Sequence, residues 1–284
     1  MGMLTVALGL LVVSLGCGVG QSDSQDASDG FTTDDVTTDA ATTDSNTTDT
    51  FHPGCVAGGE DGATSMCLLP VQTPEYYVEQ GLKYFDTLDL NADPKSVPSY
   101  SALVARWEWP PWLKLTGFER DQMTAIGDML RQFDPSTVPV RDCRAFAVQP
   151  FSRCHVVMEY EGRPCPIYEE FTFNDQGEMT FIEAWSDLPG LLPTPNPLDR
   201  WAEGPLVHRL STRMPGLGNA TGMIALDSLA MAQAAVEDPD ILDFVTRARD
   251  FWPTWYEDYT AAGPDLFQRG CGWPPPKAGR NGVP

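Results

Sequence analysis

The chain has 284 residues, 42% of them hydrophobic, with 40 acidic and 18 basic side chains and a formal net charge of −22. That length accommodates one large domain or two small ones, each able to bury a core. Such a charge excludes binding of nucleic acid or an anionic membrane surface through a basic patch, and it favours neutral or cationic ligands.

The first basic residue is Lys83. Residues 1–17 form an apolar run of signal-peptide length, short for a membrane-spanning helix. The run ends Ser14-Leu15-Gly16-Cys17, which resembles the lipobox of bacterial lipoprotein precursors. The resemblance implies that Cys17 is lipidated and that the exported protein is anchored in the bacterial cell envelope, at the outer membrane. In residues 18–54 the triplet Thr-Thr-Asp recurs at Thr32, Thr37, Thr42 and Thr47. A period of five suits neither helix nor strand. Thr, Ser and Asp bury too little surface to offset ordering entropy, so this reads as a disordered tether that its like charges keep extended. Residues 55–72 follow as a cysteine-containing linker.

Setting Cys17 aside leaves Cys55, Cys67, Cys143, Cys154, Cys165 and Cys271. An even number in an exported chain points to disulfides. Proximity favours Cys55–Cys67 and Cys143–Cys154, leaving Cys165–Cys271 to tie the C-terminus down. There is no CxxC pair and there are few histidines, so no metal is expected, nor any cofactor.

The globular part begins near Thr73. Residues 73–89 read as a helix, with Thr73 as cap, Pro74 in the first turn, and Val78, Leu82 and Phe85 on one face. In the stretch 101–117, Trp107, Trp109 and Trp112 surround Pro110-Pro111, which forbid a regular helix or central strand there. Thr116 and Glu119 have capping-box spacing before Met123, Ile126, Met129, Leu130 and Phe133, a second helix that Asp134-Pro135 stops. Beyond residue 142 the period becomes two, and residues 143–151, 152–162, 166–175 and 177–187 read as four strands joined by short turns. Helices followed by an antiparallel run make an α+β pattern.

Hairpin rules suggest a register. A bulged loop Asp175-Gln176-Gly177 sets Phe171 opposite Phe181, Glu169 opposite Glu183 and Ile167 opposite Trp185. A turn at Gly162-Arg163 sets Val156 opposite Glu169 and Cys154 opposite Phe171. One apolar face then carries Glu169 and Glu183 side by side, and on the opposite, solvated face His155 lies across from Glu170. Adjacent carboxyls on an apolar face have raised pKa values, which suits proton transfer at carbon. The alternative is that they form salt bridges with Arg106, Arg144 or Arg153.

Helix, loop, helix and then a curved sheet, ending in Gly177, Ile182, Glu183, Trp185, Asp187, Gly190, Leu191 and Leu192, resembles the nuclear-transport-factor-2-like superfamily in its SnoaL-like branch. The resemblance covers about residues 73–192. It implies a cone-shaped antiparallel sheet wrapped on the N-terminal helices, with an internal pocket. Catalytic candidates are Glu169, Glu183 and Asp187. Candidate ligand-binding residues are Trp107, Trp109, Trp112, Phe171, Phe181 and Trp185. Residues 193–284 read as a C-terminal helical extension: a helix over 225–236, another opened by Asp238-Pro239, and a kink or break at Pro253. His208 and Arg209 are possible pocket groups. Nucleophile elbows, phosphate loops and dinucleotide fingerprints are missing from the sequence. Two functions are carried forward, with the oligomeric state open. One is a membrane-tethered domain that binds a small apolar ligand or a partner. The other is a cofactor-independent isomerase, cyclase or dehydratase acting on an enolisable carbonyl compound.

Overall fold

The structure, a computed structural model, describes residues 69–109, 116–189, 199–201, 209–217, 225–263 and 265–274. All lie within one compact unit, Thr50–Pro284. Cys17, the tether, the Cys55–Cys67 pair, Trp112, His208 and Gly190-Leu191-Leu192 lie outside the described residues.

Helix α1 spans Pro74–Asp86, and the Thr73 hydroxyl accepts from the Tyr76 N–H. Pro74 occupies the first turn, where no backbone donor is needed. The buried stripe is Tyr77, Gly81, Tyr84 and Phe85, so the expected face through Val78 and Leu82 is rotated. The helix comes close to the sheet at Gly81, where a Cβ would stand 3.0 Å from Cys154 Sγ.

Strand β1, Tyr100–Glu108, was not anticipated. The prolines that argued against a strand lie beyond its end. Strand β2, Gly117–Phe118, pairs with it, and the Glu119 N–H donates to the Val104 carbonyl. The expected capping box at Thr116 and Glu119 therefore does not form. Glu119 is itself the N-cap, at φ 83°, and Gln122 reaches back to the Phe118 N–H. Helix α2, Arg120–Phe133, buries Met123, Ile126 and Met129, and its C-cap is Asp134.

Strands β3 (Thr137–Ala145), β4 (Ser152–Tyr160), β5 (Arg163–Phe173) and β6 (Met179–Ser186) complete a six-stranded sheet in the order β2-β1-β6-β5-β4-β3. Strand β1 runs parallel to β6, so the sheet is mixed, not purely antiparallel, and it does not close into a barrel. Pro139 is tolerated because β3 is an edge strand.

The observed register corrects the expected one twice. The β4–β5 turn is Glu161-Gly162, both at positive φ (52° and 72°), so Val156 faces Ile167 and Cys154 faces Glu169. A two-residue turn with both residues left-handed matches the twist of the strands. This moves the pairing by two and preserves the faces. The second correction is a register shift between β5 and β6 at Thr172/Phe173, which leaves Phe173 opposite Met179 but sets Phe171 opposite Ile182. An extra residue in one strand transfers everything beyond it to the other face.

The two faces bury separate cores. On one, Val156, Ile167, Phe171, Phe173, Met179 and Ile182 pack with Tyr77, Tyr84 and Phe85 of α1 and Met123 and Ile126 of α2. On the other, Trp107, Phe181 and Trp185 pack with Leu210, Met214 and the C-terminal helices. The face expected to be solvated is thus covered, and β6 is buried throughout.

Those helices are α3 (Leu229–Glu237), α4 (Pro239–Arg249), α5 (Phe251–Ala262) and α6 (Asp265–Cys271). Ser228 caps α3, and the Asp238 carboxylate accepts from the N–H groups of Asp240 and Ile241 to cap α4. The break falls at Asp250, and Pro253 then sits in the first turn of α5, where proline is tolerated. Met231, Ile241, Phe244 and Val245 face the sheet. Disulfides join Cys143 to Cys154 across β3 and β4, and Cys165 of β5 to Cys271 of α6, 106 residues later. Both pairs match those suggested by proximity.

Candidate functional site

Glu169 and Glu183 are both buried, at 0% and 1% exposure, but they are not neighbours. Glu169 lies opposite Ala184, and Glu183 lies opposite Glu170. The one-residue register shift puts them on opposite faces, so the expected catalytic pair does not exist.

Glu169 belongs to a cluster on the face covered by α1 and α2. Arg106 Nη2 donates to Glu169 Oε1 at 3.0 Å, Arg106 Nε donates to the Tyr84 hydroxyl at 2.6 Å, and Arg106 Nη1 donates to Glu108. Arg106 is itself buried. Glu169 Oε2 is buried with no partner at normal hydrogen-bond geometry among the described residues, although the Tyr84 hydroxyl lies near enough to the carboxyl to pull its pKa down. Burial pushes the Glu169 carboxyl up to about 7 against the pull of Arg106, with Glu108 adding to the rise. Burial also raises Glu108 and, far more, the hydroxyls of Tyr84 and Tyr100. Asp134, at the end of α2, and Tyr160, at the end of β4, feel the charge of Glu108. Burial, then Glu108 and Glu161, lift Asp134 to about 7. Chemically, this is a carboxyl poised near neutrality beside a guanidinium and a phenol, able to accept a hydrogen bond or a proton.

On the opposite face the charges are structural. Glu183 accepts from Trp109 Nε1 at 2.7 Å, from the Leu210 N–H, and from the Ser211 N–H at 3.2 Å. Burial nevertheless raises its carboxyl to about 7; the Leu210 N–H opposes this, and Glu170 reinforces it. Glu170 accepts from Arg153 Nε at 2.8 Å and from Arg209 Nε and Nη2 at 2.8 and 2.7 Å. These bonds fasten residues 209–211 to the sheet. His155 lies across from Tyr168, not Glu170, and its Nε2 is 2.8 Å from Asp187 Oδ2. Asp187 therefore orients a buried histidine and stands apart from both glutamates.

The aromatic candidates are likewise divided. Trp107, Trp109, Phe181 and Trp185 belong to the core under α3 and α4, and Phe244 meets both Trp107 and Phe181 edge to face. Phe171 packs on the other face against Tyr84 and Phe85. They do not line one pocket. Sequence reasoning missed Tyr84 and Glu108 as site groups, and it held Arg106 only as a salt-bridge partner, a role it fills. The available signal was the period-two spacing of Arg106 and Glu108, which puts both on one face of a strand. Among the described residues no group of His, Cys, Asp and Glu is arranged to hold a metal ion.

No protein-family model matches the chain, and no curated protein matches it.

Proposed function

We propose that the chain is an exported, envelope-tethered domain of the nuclear-transport-factor-2-like kind, a cone of sheet around α1 and α2 that binds a small ligand at Glu169. The observation that carries this reading is Glu169 Oε2, a fully buried acceptor without a partner at normal hydrogen-bond geometry among the described residues. An unsatisfied buried acceptor is costly, and a ligand donor would remove the cost. The helix–strand–helix–meander order and the final strand lying beside the first support the fold kinship. Two disulfides among the described residues suit an oxidising compartment outside the cytoplasm. The lipobox-like run Ser14-Leu15-Gly16-Cys17 and the tether after it support a domain lipidated on Cys17 and held at the outer membrane. Mass spectrometry of the mature N-terminus tests the anchor, and an unlipidated terminus elsewhere than Cys17 refutes it. Ligand binding is tested by Glu169→Gln, which replaces the free acceptor with an amide donor. Affinity falls at least ten-fold if Glu169 receives the ligand, and unchanged affinity refutes the site.

A second reading is favoured by one observation. A carboxyl at about 7 beside the Tyr84 hydroxyl and Arg106 is an arrangement suited to moving a proton on an enolisable carbonyl compound. Glu169 would be the base, and the phenol and guanidinium would stabilise the enolate. Turnover of a ketosteroid or β-keto ester by the wild type, abolished in Glu169→Gln, would establish it. No turnover by the wild type removes it.

A further inference from the structure

Strand β3 ends the sheet, and one side of its backbone is unused. In an antiparallel pair, facing residues alternate between those that exchange backbone hydrogen bonds and those that do not. Phe146 donates its N–H inward to the Phe151 carbonyl at 2.9 Å. By that alternation Arg144 and Asp142 also bond to β4, while Ala145, Cys143 and Arg141 turn their N–H and C=O groups outward. The Cα atoms of Cys143 and Cys154, which face each other, are 4.0 Å apart, the close spacing of a pair without such bonds. Among the described residues nothing bonds to the outward groups.

An unpaired edge invites another strand unless something blunts it. Pro139, which has no N–H, blunts only the first part of β3. The stretch after it is self-complementary. Asp142 and Arg144 are both exposed and stand on one face, on either side of Cys143. When a second copy is laid antiparallel about a two-fold axis at Cys143, Asp142 of each copy lies opposite Arg144 of the other. Cys143 then exchanges both backbone bonds with its counterpart, and Arg141 exchanges both with Ala145. Opposite charges at facing positions stabilise a strand pair. A two-fold contact of this kind closes on itself, so association stops at two copies.

Helix α1 supplies an independent observation. Gln80 accepts from the Ser99 N–H at 2.7 Å, and the Tyr84 hydroxyl accepts from Arg106 Nε, so that flank of the helix faces β1. On the other side Arg141 of β3 reaches the Leu82 carbonyl at 3.4 Å. The flank on this side carries Val78 and Leu82, apolar residues that are only half-buried. Joining two sheets at β3 turns these flanks toward each other. We infer that the chain forms a symmetric dimer through the β3 edge, with residues 141–145 paired about Cys143 and the Asp142 and Arg144 side chains bridging the two copies.

The test is sedimentation equilibrium of the full-length protein in mild detergent, over a series of concentrations. The wild type is a dimer that dissociates on dilution. Ala145→Pro removes an outward N–H that the fold itself does not use, at a kind of position where an edge strand accepts proline, and it weakens dimerisation at least ten-fold. Asp142→Arg sets like charges opposite each other at both pairs and also weakens it at least ten-fold. The exchange Asp142→Arg/Arg144→Asp restores the dimer to within three-fold of the wild type, which a misfolded variant could not do. The amides of Arg141, Cys143 and Ala145 exchange with deuterium more slowly as protein concentration rises. A monomer at every concentration overturns the dimer. A dimer that neither Ala145→Pro nor Asp142→Arg weakens, in variants with the near-UV circular dichroism of the wild type, overturns the assignment to this edge.

Discussion

The two glutamates make stability depend on pH in the direction opposite to that of an ordinary salt-bridged carboxylate. Glu169 is lifted from 4.5 to about 7, chiefly by burial. The sign follows from linkage. A carboxyl that binds its proton more tightly when folded contributes its full stability below the unfolded value. It loses that contribution as pH rises through the folded value. A displacement from 4.5 to about 7 corresponds to about 3 kcal/mol, given roughly 1.4 kcal/mol per pH unit. Urea unfolding with disulfides intact, followed at intervals from pH 4 to 8.5, reads this directly. The wild type loses stability between about pH 4.5 and 7, and Glu183 and Asp134, also lifted to about 7, add to the fall. In Glu169→Gln the Glu169 share disappears, so the difference between the two curves changes by about 3 kcal/mol across that window. Equal slopes in the wild type and Glu169→Gln would refute the reasoning, as would a difference with the opposite sign.

Other perturbations test the frame that holds the site. The double variant Cys165→Ser/Cys271→Ser opens a loop of 106 residues and lowers stability by about 4 kcal/mol, with α6 becoming the earliest site of proteolysis. Arg209→Met removes two of the three side-chain donor bonds seen to the buried Glu170 among the described residues and costs about 3 kcal/mol in chemical denaturation. Gly117→Ala sets a Cβ 2.4 Å from Ile126 Cδ1 and 2.9 Å from the Met123 sulfur, so the ends of these two core side chains must repack, at about 1 kcal/mol in the same assay.

Most of the architecture could be read from local chemistry. Thr73, Ser228 and Asp238 announce helix starts because their side-chain oxygens satisfy first-turn donors, and the meander shows in its period of two. What failed was non-local. Strand β1 was hidden because its own residues are interrupted by prolines only after it ends, and its parallel contact with β6 leaves no hairpin signal. The register shift near Thr180 was hidden because Phe181 and Ile182 are adjacent and both apolar, so either face could claim either residue. That single position separated Glu183 from Glu169. Sequence reasoning therefore placed both carboxyls in the interior but gave Glu169 the wrong neighbour. Tyr84, Arg106 and Glu108 converge on Glu169 from α1 and β1, across distances in sequence that periodicity does not span.

The most direct measurement is the titration of the Glu169 carboxyl by carbon NMR. The carboxyl titrates near 7, lifted by burial against the pull of Arg106. A carboxyl titrating at the ordinary 4.5 contradicts the account of Glu169 as a buried and incompletely satisfied group.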